Sequence, residues 1–65
     1  MTKEDWKQLW EGMARAHTEA HRQMVSEAKL AGAKQNTEFS EMCWCAAMTQ
    51  HVLARAFRDL AKEQE

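Results

Sequence analysis

The sequence contains no proline and two glycines, Gly12 and Gly32, and only one short stretch, Gly32 to Asn36, combines a glycine with another residue that typically ends or begins a helix. On both sides of this stretch the chain is rich in Ala, Glu, Lys, Gln, Met and Arg, which favour helices over strands. A connection of about five residues between two long helices forces them to lie antiparallel. The sequence therefore predicts one all-α domain, residues 1–65, folded as an antiparallel two-helix hairpin with helices at about 3–31 and 37–62.

Apolar residues recur along the first predicted helix with the period of an amphipathic helix. Thr2 followed by Asp5 matches a capping box with Asp in place of Glu or Gln, so we expect the helix to begin at Lys3. Gly32 after Ala31 predicts a left-handed C-cap at the other end. The residues expected to face the second helix are Trp6, Trp10, Met13, His17, Ala20, Met24, Ala28 and Ala31.

The second predicted helix, capped by Asn36 or Thr37, is apolar on more sides than one neighbour requires. Its inward stripe is expected to comprise Phe39, Met42, Cys43, Ala46, Leu53, Phe57 and Leu60. With the first helix, this predicts a hairpin core of Trp6, Trp10, Met13, Met24, Phe39, Leu53, Phe57 and Leu60. A second patch lies on the far side of the helix and consists of Trp44, Cys45, Met48, His51, Val52 and Arg55.

This far-side patch predicts a binding surface, because Trp and Arg are enriched at binding hot spots and Met packs adaptably. A chain this short buries a core that rarely supplies more than ~3–5 kcal/mol, so a disulfide, a metal or self-association is usually needed. Two such hairpins can assemble into a four-helix bundle. Two interpretations stay open: the patch is buried in a homodimer or higher oligomer, or it binds a different protein.

The cysteines and histidines form no strong metal or redox motif. Cys43 and Cys45 diverge by roughly 200° around a helix, which excludes a disulfide between them, and their spacing differs from that of zinc and redox motifs. His17 and His21 lie one helical turn apart, so a metal-binding helical protein that uses this pair is an alternative. Because a lone His pair is a non-specific signal, the sequence favours histidines with ordinary hydrogen bonds and no metal or other cofactor.

The charge balance bears on the choice of partner. Nine Lys and Arg residues oppose ten Asp and Glu residues, and this net charge of −1 argues against nucleic acid and membranes as partners. Arg55, Arg58 and Lys62 still form a small basic strip that would suit RNA or an acidic protein. No apolar run approaches the ~20 residues of a membrane span, and the N-terminus lacks the apolar core of a signal peptide. We therefore expect a soluble, cytoplasmic protein.

No catalytic motif or nucleotide-binding loop is present, and a short hairpin offers little concave space, so we expect no enzymatic activity. We expect a small protein-binding regulator, an inhibitor or adaptor of bacterial or phage type, that acts as a helical homodimer and masks a surface of a partner protein. The expected outline also resembles that of the Rop-type RNA-binding hairpin dimers, without matching residues. An RNA-binding or other nucleic-acid-binding helical dimer is therefore an alternative.

Overall fold

The computed structural model describes all residues from Met1 to Glu65 and consists of two α-helices, α1 (Lys3–Ala33) and α2 (Thr37–Glu63). The helices pack side by side along their length, and their Cα atoms span 49 × 13 × 12 Å. The predicted all-α helical hairpin is confirmed, with helix boundaries within two residues of those expected from the sequence. Neither helix is long and apolar enough to cross a membrane.

Side chains cap the start of each helix as the sequence predicted. The Thr2 hydroxyl accepts a hydrogen bond from the Asp5 N–H at 3.1 Å, and the Asp5 carboxylate accepts one from the Thr2 N–H at 3.0 Å, which completes a capping box. At the start of α2, the Asn36 side chain accepts a hydrogen bond from the Phe39 N–H at 3.3 Å. These bonds satisfy donors that the first turn of a helix leaves without partners.

The end of α1 corrects one prediction. Gly32 is not a left-handed cap: α1 continues through it to Ala33, and Gln35 takes the positive backbone angle, with φ of 60°. The Asn36 N–H bonds the Ala31 carbonyl at 2.8 Å and the Gln35 N–H bonds the Gly32 carbonyl at 3.0 Å. This pair of bonds forms a Schellman motif, which needs one left-handed residue and here uses a glutamine for it.

The two helices meet along a seam whose positions alternate three and four residues apart, the spacing of a heptad repeat. Every seam residue is buried or half-buried, and the seam contains all seven buried residues of the chain, which are six alanines and Cys43. The seam comprises Lys7, Trp10, Ala14, His17, His21, Met24, Ala28 and Ala31 of α1, and Ser40, Cys43, Ala47, Gln50, Ala54, Phe57, Ala61 and Gln64 of α2.

Small seam residues let the helix backbones approach closely. Subtracting the Cα radius of each helix, about 2.3 Å, from the width of the molecule places the two axes roughly 8 Å apart, the short end of the usual range. The Ser40 hydroxyl consequently reaches across to donate to the Ala28 carbonyl at 2.9 Å. The His21 Nδ1–H donates to the Ala47 carbonyl at 2.8 Å. Two side chains thus bond directly to the backbone of the opposite helix.

The predicted hairpin core is only partly correct. Trp10, Met24, Leu53, Phe57 and Leu60 are half-buried at or beside the seam. Four residues that the sequence placed in the inward stripes are instead exposed, at 39%, 37%, 45% and 63%; they are Trp6, Met13, Phe39 and Met42. Each helix has a wide arc of apolar residues. The seam runs along one edge of this arc, where the alanines lie, and the large side chains flank the seam on one side.

Candidate interaction surfaces

The large side chains that flank the seam lie on one broad side of the hairpin, which we call the apolar face. In an antiparallel pair, equivalent flanking positions of the two helices lie on the same side. A shallow hollow lined by Met24 and Glu27 of α1 and by Phe39, Met42 and Ala46 of α2 shows this directly. The face comprises Trp6, Leu9, Met13, Ala16, Ala20, Gln23, Glu27 and Leu30 of α1, and Phe39, Met42, Ala46, Thr49, Leu53, Ala56, Leu60 and Glu63 of α2.

Twelve of these sixteen residues are apolar, and only Glu27 and Glu63 are charged. Six of its large side chains are exposed, with exposed fractions that run from 37% for Met13 to 63% for Met42, and Leu53 and Leu60 are half-buried. No large side chain of the protein is fully buried. The chain therefore leaves much of its apolar surface uncovered by its own fold.

A ladder of aromatic rings borders the apolar face near the chain termini. The Trp6 and Trp10 rings stack with centroids 5.6 Å apart, and Trp10 stacks on Phe57 of the other helix at the same distance. Phe57 also stacks on the His17 ring at 5.4 Å. The ladder ties the two helices together and holds Trp6 in a fixed orientation at the surface.

The opposite broad side carries all four arginines of the chain, and we call it the arginine face. Arg15 and Arg22 are on α1, and Arg55 and Arg58 are on α2, at flanking positions of the same side. Arg15, Arg22 and Arg58 line one open groove of about 400 Å³ that spans the two helices. This clustering was missed at the sequence level, where only Arg55, Arg58 and Lys62 were grouped; the register of α1 against α2 is what brings in Arg15 and Arg22.

Most of these cations have no anionic partner. The chain forms two ion pairs, Lys7 with Glu65 at 3.4 Å and Arg22 with Glu19 at 3.1 Å. The Arg22 and Glu19 side chains are 74% and 56% exposed, so water competes with their pairing. The guanidinium groups of the other three arginines remain free to bind an anion from outside the chain.

The six residues of the far-side patch are divided between two surfaces. Trp44, Met48, His51 and Arg55 lie on the arginine face, where Trp44 is 43% and Met48 is 69% exposed. Cys45 and Val52 point away from α1 on the outer surface of α2. The patch is thus separate from the apolar face, and its Trp44 and Met48 lie nearer to the hairpin turn than Arg55 and Arg58.

The histidines are held by contacts between the helices. His17 Nδ1 bonds the side-chain oxygen of Gln50, while His21 bonds the Ala47 carbonyl and lies with its ring centroid 5.4 Å from that of His51. His17 and His21 therefore both bridge to α2, as ordinary hydrogen-bonded histidines do. No group of three or more His, Cys, Asp or Glu side chains is arranged to hold a metal ion.

The two cysteines have different environments. Cys43 is a buried seam residue, 6% exposed, and Cys45 is exposed on the outer surface of α2. Both are free thiols, and they point to different sides of the same helix. Cys43 therefore packs between the helices, and Cys45 presents an accessible thiol.

The fold and its surfaces define a helical hairpin with one apolar and one arginine-bearing broad face. Comparisons with protein-family models, curated proteins and solved structures gave no match. What the chain binds must therefore be inferred from these two faces.

Proposed function

We propose that this protein is a small protein-binding regulator that acts as a homodimer. The observation that carries the proposal is the position of the large apolar side chains, which lie on one uncovered face and not in the seam. A second copy of the chain covers this face, and the two hairpins form a four-helix bundle. The opposite face of each copy stays in solvent and binds the partner protein.

The size of the apolar face suits a second copy. It runs along a molecule 49 Å long, and two adjacent helices of about 10 Å diameter make it roughly 20 Å wide. The face therefore offers about the 800 Å² per partner that a stable protein interface buries. Its residues are of the types found in the cores of such interfaces, with Trp, Phe, Met and Leu prominent and two charges among sixteen positions.

Covering this face also supports the stability of the chain. A hairpin whose seven buried residues are alanines and one cysteine buries little apolar surface for its length. In the bundle, Trp6, Met13 and Phe39 move from partial exposure into a shared core. The sequence prediction that these residues belong to a core would then hold for the dimer, although they are exposed in the single chain.

The arginine face gives the dimer its regulatory surface. It presents Trp44, Met48 and Arg55 in each copy, which are residue types that supply most of the binding energy at protein interfaces. Two copies of this surface on one rigid bundle can mask an extended site on a partner. Binding by occlusion requires no catalytic group, consistent with an inhibitor or adaptor.

Substitutions on the two faces test the proposal separately. Met13→Glu places a charge from each copy into the dimer interface and should weaken dimerisation by about 100-fold, because an unpaired buried charge is costly. Val52→Glu makes a comparable change at a 64% exposed residue outside both faces and should leave the dimer intact. Light scattering during size-exclusion chromatography measures the dimerisation of both variants. Unchanged dimerisation of Met13→Glu would show that the apolar face is not the dimer interface.

The partner surface is tested by affinity capture from the native host with wild type, Trp44→Ala, Arg55→Glu and the control Val52→Ala. The proposal expects proteins that co-purify with wild type and with the control, and that are lost with Trp44→Ala and Arg55→Glu. Circular dichroism confirms that each variant keeps its helices. Identical co-purifying proteins in all four samples would show that the arginine face is not the partner site.

A further inference from the structure

We infer that the arginine face binds an acidic amphipathic helix of the partner protein, laid along the groove between α1 and α2. The inference rests on the proposed function, and it names the chemistry of the partner. It begins from the four arginines, which the hairpin register gathers on one face of a chain whose net charge is −1. Such a local concentration of positive charge favours a partner surface of the opposite charge.

The arginine spacing suits a helix. Arg15 and Arg22 are seven residues apart on α1, or about 10.5 Å along the axis, which is two helical turns. Arg55 and Arg58 face them from α2, and Arg58 shares an open groove with both arginines of α1. A partner helix lying in this groove would present a carboxylate to each side at similar intervals, and guanidinium groups bind carboxylates in a two-pronged geometry.

Two acids, Glu11 and Glu19, line this groove beside three arginines, so its lining keeps a net positive charge. Glu19 is the only carboxylate paired with an arginine, and that pair lies on one exposed surface of α1. Glu11 borders the groove without forming an ion pair with Arg15 or Arg58. An incoming acidic helix therefore meets cations that are available for bonding.

An apolar anchor adjoins the charged groove. Trp44 and Met48 are exposed on the same face, about three and about two helical turns closer to the hairpin turn than Arg55. Val25 lies opposite them on α1 and is half-buried. A partner helix with an apolar residue at this level and acids beyond it would match both parts of the face, as aromatic anchors surrounded by polar contacts do in protein interfaces.

The same features favour a protein helix over RNA. Trp44 is the sole aromatic residue of the face besides His51, so the face has no row of rings on which successive bases would stack. Glu11, Glu19 and Glu41 lie among the cations and would repel a continuous phosphate backbone. Discrete carboxylates on a helix can pair with the arginines and avoid those three acids.

Fluorescence anisotropy with defined probes tests the inference at low ionic strength. The probes are a labelled alanine-based helical peptide with one Leu and two Glu per heptad, its twin with Lys for each Glu, and a single-stranded oligouridylate. We expect the Glu peptide to bind and the Lys peptide and the oligonucleotide to bind at least about tenfold more weakly. Attachment of the peptides to the apolar face would be common to both twins, so the difference between them reports the charge-dependent site.

Matched charge reversals locate the site. Arg15→Glu with Arg58→Glu should weaken binding of the Glu peptide about tenfold or more. Lys3→Glu with Lys34→Glu changes the net charge by the same amount outside the face and should have a much smaller effect. Circular dichroism verifies that both double variants remain helical. Equal weakening by the two double variants, or equal binding of the twin peptides, would overturn the inference.

Preferential binding of the oligouridylate, lost in Arg15→Glu with Arg58→Glu, would also overturn it and would make the face a nucleic-acid surface. Sedimentation of the same samples separates this inference from the proposed dimer. A dimer that binds neither peptide overturns the acidic-helix inference alone. A monomer that binds the Glu peptide at the arginines overturns only the dimer.

Discussion

Replacing Ala54 with leucine tests whether the seam depends on small side chains. Ala54 is 1% exposed between two helix backbones whose axes lie roughly 8 Å apart. A leucine side chain has no free space there, so the helices must separate or the side chain must leave its preferred rotamer. Inserting extra carbon atoms into a well-packed site typically costs about 1–3 kcal/mol.

The expected change in melting temperature follows from the length of the chain. An unfolding entropy of about 2.1 cal/mol/K per residue gives roughly 0.14 kcal/mol/K for 65 residues, or about 7 °C for each kcal/mol. Ala54→Leu should therefore lower the melting temperature by about 7–20 °C, measured by circular dichroism at fixed protein concentration.

The control is Ala33→Leu, at the end of α1, where the side chain is exposed outside the seam and outside both broad faces. Alanine and leucine have similar helix propensities, so this variant should stay within about 0.5 kcal/mol of wild type, or about 4 °C. Similar melting temperatures for Ala54→Leu and Ala33→Leu would refute the close-packed alanine seam.

Further predictions concern the turn and the thiols. Gly32→Ala should raise the stability by up to about 1 kcal/mol, because Gly32 is helical and an added Cβ would lie 3.5 Å from the Ser40 hydroxyl, an ordinary contact. Gln35→Gly should also be stabilising by up to about 1 kcal/mol, since glycine adopts a positive φ without strain. Thermal melts measure both stability changes. A clear destabilisation by Gly32→Ala would contradict the helical conformation of Gly32 and would support the left-handed cap expected from the sequence. A thiol reagent should modify one cysteine per native chain, Cys45, and both after denaturation; rapid reaction of Cys43 in the native protein would contradict its burial in the seam.

The helices and their caps were predictable from the sequence because their signals are local. Thr2 with Asp5 and Asn36 each bond to a backbone group three residues away, so the short-range pattern is sufficient. The end of α1 was misplaced because glycine tolerates both helical and left-handed conformations. Gly32 stays helical, and the positive φ falls on Gln35, next to Asn36, whose N–H bonds the Ala31 carbonyl.

The seam could not be located by hydrophobic periodicity alone. Periodicity finds the centre of an apolar arc, and on α1 this centre lies near Met13, which is 37% exposed. Contact between two helices instead selects Ala14, one residue further on, because a small residue permits closer approach. Five of the eight residues predicted for the inward stripe of α1 still lie in the seam, and the large side chains Trp6 and Met13, on one edge of the arc, remain at the surface.

The candidate surfaces also include one part that was predictable from the sequence and one part that was not. Trp44, Met48 and Arg55 could be grouped from the sequence because they share one side of a single helix. The arginine face needed the register between two helices, since Arg15 and Arg58 are 43 positions apart in the chain and line one groove only after the hairpin closes.

Sedimentation equilibrium of the wild-type protein, in reducing buffer and over a wide concentration range, tests most directly whether a second copy covers the apolar face. The proposed bundle predicts a particle of twice the 7.6 kDa chain mass, about 15 kDa, that dissociates on dilution without precipitating. A mass of 7.6 kDa at every concentration would show that the apolar face stays open in solution, and it would contradict the homodimer.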